Sequence, residues 1–190
     1  MSFNRFCIQA IYGRWGQAKK LAEQLDGVIY VDFCREPTKA FCGSLMTFGG
    51  KSHVHLEDDT NLCKGFKEHV RKAIHKHPDQ VINFFNGMTK NPVREVAEKP
   101  GSTYLWAQCT YFPDWFASEF IEWCLDNDYH PDPKSRWSGL DESVAEFLKQ
   151  TGRKYILWYP ALVQHSIGVS AIDSRRPRRR VSVAFADDVK

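Results

Sequence analysis

Long apolar runs, metal-type cysteine pairs, internal repeats and an excess of one charge are all missing or scarce in this sequence. No segment approaches roughly 18 apolar residues, which excludes a membrane-spanning helix. The N-terminal stretch MSFNRFCIQAIYGRW lacks the apolar core of a secretory signal, so an intracellular, cytoplasmic protein is expected. The six cysteines, Cys7, Cys34, Cys42, Cys63, Cys109 and Cys124, form no C-x-x-C pair, and several sit in apolar runs such as FCIQAI and FIEWCL. Buried free thiols fit that pattern better than a disulfide framework or a zinc site. The net charge is only +3, which by itself implies no polyanionic partner. No linker divides the chain.

What is present is enough for one packed domain. The 190 residues are 43% hydrophobic and 14% aromatic, a composition that argues for a core and against disorder. RFCIQAIY at 5–12 reads as a buried strand, and Trp15, Ala18, Leu21, Ala22 and Leu25 then recur at helical spacing, with Gly27 placed to stop the helix. VIYVDF at 28–33 reads as a second strand, so the opening segment has the βαβ pattern of a parallel sheet. REPTKAFCGSLMTFGG, with its Pro, its Gly residues and little periodicity, reads as a long surface loop. SHVHLE is a third strand, running into a helix in which Leu62, Phe66, Val70 and Ile74 share a face and which Pro78 ends. QVINFF and STYLWAQ are expected strands, with a loop over NGMTKNPVREVAEKPGS between them. Helices are expected at 114–125, with Phe116, Phe120, Ile121 and Cys124 inward, and at 139–151, with Leu140, Val144, Phe147 and Leu148 inward. DNDYHPDPKSRWSG is a turn-rich loop and KYILWYP a last strand. The expected architecture is a single α/β domain over 1–190, a mostly parallel sheet flanked by helices.

Glu57, Asp58 and Asp59 stand in a row where the third strand ends. In open α/β sheets ligands bind outside the carboxyl ends of strands. Three adjacent carboxylates repel one another unless a cation neutralises them, and oxygen ligands suit Mg²⁺ or Mn²⁺. A helix start is the competing explanation, since acidic residues cap helices and favour the positive end of the dipole. It accounts well for Asp59 alone and poorly for three in succession.

HVHLEDDTNLCKGF resembles the acidic metal-binding motif of GT-A-fold glycosyltransferases in an E-D-D form. YPALVQHSIGVSAI is similar to the C-terminal segment of small members of that family, found in bacterial sugar-modification loci and in bacteriophages. The two segments lie in the right order, about a hundred residues apart. The resemblance implies a Rossmann-like GT-A fold and transfer of a sugar from a nucleotide-sugar donor, a UDP-sugar as first expectation, with Mn²⁺ or Mg²⁺ as cofactor. By position, Arg14 would meet the donor's base or diphosphate, Asp58 the ribose side and Asp59 the metal, with Glu57 in support and His165 completing the ligand set. A core histidine bonded to backbone would be the plainer reading of an isolated His, but the place of His165 in PALVQHSIG tips the balance towards a ligand.

Inverting transfer needs a general base, and Asp141 and Glu142 in SRWSGLDESVAEFL are the candidates, Asp141 first. Ser138 and Asp141 also have the spacing of a capping box, which would give Asp141 a structural role. TFGG at 47–50 reads as a turn. Trp106 and Trp115 are expected in the core, whereas Trp137, flanked by loop residues, is a candidate to stack on the acceptor. Five arginines crowd the segment SRRPRRRVSV: Arg175, Arg176, Arg178, Arg179 and Arg180. They can hold the donor's diphosphate (Arg178), grip a nucleic-acid acceptor through its phosphates, or form a solvated tail. By family analogy the acceptor would be a hydroxymethylated pyrimidine in phage DNA, which places the protein in the host cytoplasm. A cell-surface saccharide acceptor, or a non-enzymatic nucleic-acid-binding accessory protein, are the alternatives. The last needs neither the acidic triplet nor His165.

Overall fold

The computed structural model describes residues 5–33, 37–87, 94–127, 139–166, 181–182 and 184–187. Strand β1 (Phe6–Ile11), helix α1 (Trp15–Leu25) and strand β2 (Val28–Asp32) form the parallel unit that the hydrophobic pattern predicts. Ala18, Leu21 and Leu25 bury one face of α1, while Trp15, expected inside, is 51% exposed. Asp26 takes the left-handed conformation that ends the helix, and the Gly27 N–H donates to the Ala22 carbonyl.

The stretch expected as a loop is helix α2 (Pro37–Met46). Pro37 stands at the first helical position, where a missing N–H leaves no bond unmade. Ala40, Phe41 and Leu45 then fall on one buried face. Gly43 looks like a helix breaker but serves a close approach, since a Cβ there would lie 2.0 Å from the Tyr30 hydroxyl. Residues 47–50 form the expected turn, with Gly49 and Gly50 at positive φ.

Strand β3 (His53–Glu57) is as expected, but no helix follows it directly. Asp58 and Asp59 make a turn into strand β4 (Thr60–Leu62), and helix α3 (Phe66–Lys76) begins only after Gly65. Phe66, Val70 and Ala73 are the buried residues of α3. The remaining strands are β5 (Val81–Asn83), β6 (Ala97–Pro100), β7 (Cys109–Phe112), β8 (Lys154–Leu157) and β9 (Val163–His165). STYLWAQ is therefore not a strand: it covers a 3-10 turn and coil, and pairing starts at Cys109. Edge strand β6 lies in the stretch read as a loop. Helices α4 (Asp114–Asp126) and α5 (Leu140–Gln150) match their predicted spans, with Trp123 buried where Ile121 and Cys124 are only partly so.

The main sheet runs β2-β1-β3-β7-β5-β8-β6. The pairings leave five of the seven strands pointing one way, with β7 and β6 reversed. From β1 the chain crosses through α1 to β2, then through α2 to β3 on the other side of β1. Two right-handed crossovers in opposite directions put α1 and α2 on opposite faces. The point between β1 and β3 is thus the switch point where α/β sheets open a crevice. On one face Phe6, Val54 and Leu56 pack with Phe66, Val70 and Ala73 of α3, and Ile8 and Ala10 pack with α1. On the other, Phe112, Tyr155 and Leu157 pack with residues of α2, α4 and α5.

Candidate metal centre at the β1–β3 switch point

The sheet itself places the acidic triplet. The Glu57 N–H donates to the Gln108 carbonyl at 3.0 Å and the Asp58 N–H to the Gln9 carbonyl at 3.1 Å, so the chain is tied to both neighbours as it leaves β3. The Asp58 carboxylate accepts the Ile11 N–H and an Arg14 N–H, each at 3.0 Å. Arg14 also donates to Asp59 Oδ2 at 2.5 Å. The guanidinium therefore bridges the two aspartates and supplies one of the positive charges that their proximity requires.

His165 arrives from the far end of the sequence. Strand β9 pairs antiparallel with β4, setting Thr60 opposite His165, and the Ser166 N–H donates to the Asp59 carbonyl at 2.7 Å. The His165 ring, 4% exposed, has Nδ1 2.6 Å from the Ser166 carbonyl and Nε2 3.3 Å from Asp59 Oδ2. A carbonyl only accepts, so Nδ1 carries a proton and Nε2 is the nitrogen turned to the carboxylate. Two lone pairs do not face each other at that distance unless a proton or a metal ion lies between them. Fixing a histidine by a carbonyl on its other nitrogen is also how proteins orient metal-ligating rings. Ligand atoms of Glu57, Asp59 and His165 all lie within 4.8 Å of one another. Asp59 Oδ1 is buried with no hydrogen-bond partner among the described residues, an arrangement that costs free energy unless a cation or water satisfies it. This donor set can hold a divalent metal ion.

The two aspartates are shifted in opposite directions. Burial raises the Asp58 carboxyl above its ordinary value, more than the Ile11 amide and Arg14 lower it. Burial also pushes Asp59 up, but His165 and Arg14 outweigh it and hold Asp59 below its ordinary value. Asp59 is the stronger candidate for a persistent anion. The helix-start explanation of the triplet loses its footing, because Asp59 lies in a turn between two strands and α3 begins at Phe66.

Asp141 and Glu142 occupy the first turn of α5. The helix cap is Gly139, without a side-chain capping bond, and Ser138 lies outside the described residues. Asp141 Oδ1 instead accepts the Ala107 N–H at 2.6 Å. The next residue, Gln108, donates from Nε2 to Glu57 Oε2 at 3.4 Å, so the start of α5 is coupled to the acidic cluster through one short segment. Trp137, Arg175, Arg176, Arg178, Arg179 and Arg180 lie outside the described residues.

Beside Asp58 a cleft of about 410 Å³ opens between α1 and β4, lined by Gln17, Lys20, Gln24, Asn61 and Ser166 among others. Its size is in the range of small-ligand sites. Gln9 and Gln108, which flank Glu57, and Ser166, which fixes the His165 ring, carry no motif that sequence reasoning can find. They matter because of strand pairing. No protein-family model and no curated protein matches this chain, so the functional reading rests on the site.

Proposed function

We propose that the protein is a metal-dependent glycosyltransferase that moves a sugar from a nucleotide-sugar donor to a hydroxyl acceptor, with a UDP-sugar as the first donor to try. The supporting observation is the buried face-off of His165 Nε2 and Asp59 Oδ2 beside the unsatisfied Asp59 Oδ1. Glu57, Asp59 and His165 would hold the metal. Two carboxylates with one imidazole favour Mn²⁺ over Mg²⁺, because imidazole is the softer ligand. A bound Mn²⁺ would supply positive charge against the diphosphate leaving group. Asp58, paired with Arg14, lines the cleft, where the donor nucleotide would lie near Lys20. Asp141, anchored through Ala107 beside Gln108, is the carboxylate proposed as general base on the acceptor side.

The test is a thermal-shift screen of nucleotide sugars with and without Mn²⁺. A donor is expected to stabilise the protein only when the metal is present. Asp59→Asn should remove that shift and turnover together, and His165→Ala should weaken Mn²⁺ binding by roughly tenfold or more, the scale of even indirect ligand-shell losses. Full turnover by Asp59→Asn in the presence of a chelator would sink the proposal.

A further inference from the structure

The outer face of α3 has a charge pattern that nothing in the metal centre uses. Residues 64–77 carry Lys64, Lys67, Arg71, Lys72 and Lys76 against the single carboxylate Glu68, five positive charges less one, or +4. Lys64, Arg71, Lys72, His75 and Lys76 are exposed and Lys67 is half-exposed, because the buried positions 66, 70 and 73 turn the rest of the helix outward. Lys67 and Arg71 stand four residues apart, as do Lys72 and Lys76. Like charges at that spacing weaken a helix. Glu68 relieves the row in part through its ion pair with Lys72 at 2.8 Å, and the Asp187 carboxylate accepts the Lys64 N–H at 2.9 Å. On the opposite side of the sheet the signs reverse: α4 carries Asp114, Glu119, Glu122 and Asp126 and no lysine or arginine.

We infer that the outer face of α3 docks the phosphate backbone of duplex nucleic acid alongside the metal centre. The inference rests on the glycosyl-transfer reading for its purpose, which is to present the acceptor as nucleic acid, but the docking stands on the charge pattern alone. Three features choose this partner. Cations repeating every four residues advance about 6 Å per step along the helix, which suits a dense, regular row of charges. Among the described residues the exposed large apolar ones (Tyr12, Trp15, Val28, Phe33, Met46 and Leu125) all lie off α3, so the face lacks the apolar wedge of a membrane-binding helix. It also lacks the exposed aromatics on which single-stranded bases stack. The helix starts three residues after β4, so its Lys64 and Lys67 end is the one close to the metal centre.

Binding of a mixed-sequence 20-base-pair DNA duplex is measured at several salt concentrations by fluorescence anisotropy. The intact protein should bind with a steep salt dependence. In a Lys64→Gln/Lys67→Gln/Lys76→Gln variant, the slope of log affinity against log salt should shrink by about two to three units, near one per lost phosphate contact, and affinity at low salt should fall roughly tenfold or more. Glutamine keeps the helix propensity and breaks both like-charge pairs, so this variant should melt no lower than the parent. Donor stabilisation with Mn²⁺, measured on the same samples, should be unchanged. If that donor effect is absent from the parent while the salt-dependent binding follows α3, the transfer reading fails and the docking face stands. Three results overturn the docking face: no duplex binding by the intact protein, parent-like binding by the α3 variant, or loss confined to an Arg178→Ala/Arg179→Ala/Arg180→Ala variant. Binding of phosphatidylglycerol vesicles in preference to the duplex would overturn it as well.

Discussion

The two helical layers that cover the sheet are made of different material. Under α2, α4 and α5 the rings of Phe41, Phe112, Phe116, Phe120 and Phe147 form a continuous cluster, with Phe112 and Phe116 centred 4.3 Å apart and Phe120 5.4 Å from both Phe41 and Phe147. Under α1 and α3 the helices offer smaller groups: Ala18 and Leu21 from one, Val70 and Ala73 from the other, with Phe66 the exception. The first layer has aromatic helix side chains inside and acidic ones outside. The second has mostly small helix side chains inside, is basic along α3, and holds the cleft between α1 and β4. Large aromatic helix side chains concentrate stability in the first layer, while the smaller ones of the second leave room beside the strand ends for a ligand.

Truncation on each side tests that contrast. Phe120→Ala should cost about 3–5 kcal/mol, and Val70→Ala about 2 kcal/mol, measured by urea unfolding. Equal costs would break the comparison. On the proposed reading, Mn²⁺ affinity of the folded Phe120→Ala protein should stay as in the parent, because no residue of the aromatic cluster belongs to the candidate donor set.

Acid should reveal the aromatic layer next. His53 and His55 point into it from β3, both buried, and burial lowers their pKa values to about 4 and about 3. Both are neutral when folded, whereas the unfolded chain takes up protons below its ordinary histidine value of about 6.5. The unfolded state then binds more protons, so the contribution is whole above about pH 6.5 and is lost progressively as pH falls towards 3–4. Melting temperature should drop on going from about pH 7 to pH 5, and a His53→Gln/His55→Gln variant should show a shallower drop. The smallest effect is expected at the surface of the second layer. Lys19 and Glu23, 3.9 Å apart and both about two-thirds exposed, form a pair whose removal by Lys19→Ala should leave the melting temperature unresolved from the parent's.

Local pattern revealed much of the fold and about half of the site. The β1–α1–β2 unit, β3, α4 and α5 are legible because each has one dominant period and a face that must be buried. Helix α2 is not, because Pro37 and Gly43 look like loop residues until Tyr30 is seen lying against Gly43. The join of β4 to α3 is hidden because Leu62 falls in helical register with Phe66 while belonging to a strand that pairs with β9. In the site, the Glu57–Asp59 row is conspicuous and His165 follows from the segment around it. The roles of Gln9, Gln108, Ser166 and the Ala107 amide come from long-range pairing, which no local pattern encodes. Arg14 was visible as a candidate, but its position astride Asp58 and Asp59 was not.

The pairing of β4 with β9 also sets an order of events during synthesis. Asp59 emerges from the ribosome more than a hundred residues ahead of His165, with Glu57 beside it and Arg14 already made. Closing so long a loop carries an entropic cost that the nascent chain meets only once β9 is available to dock. Until then Arg14 is the counter-charge at hand for the aspartates. On the proposed reading, metal loading is therefore a late step in the life of the molecule, governed by arrival of its C-terminal third.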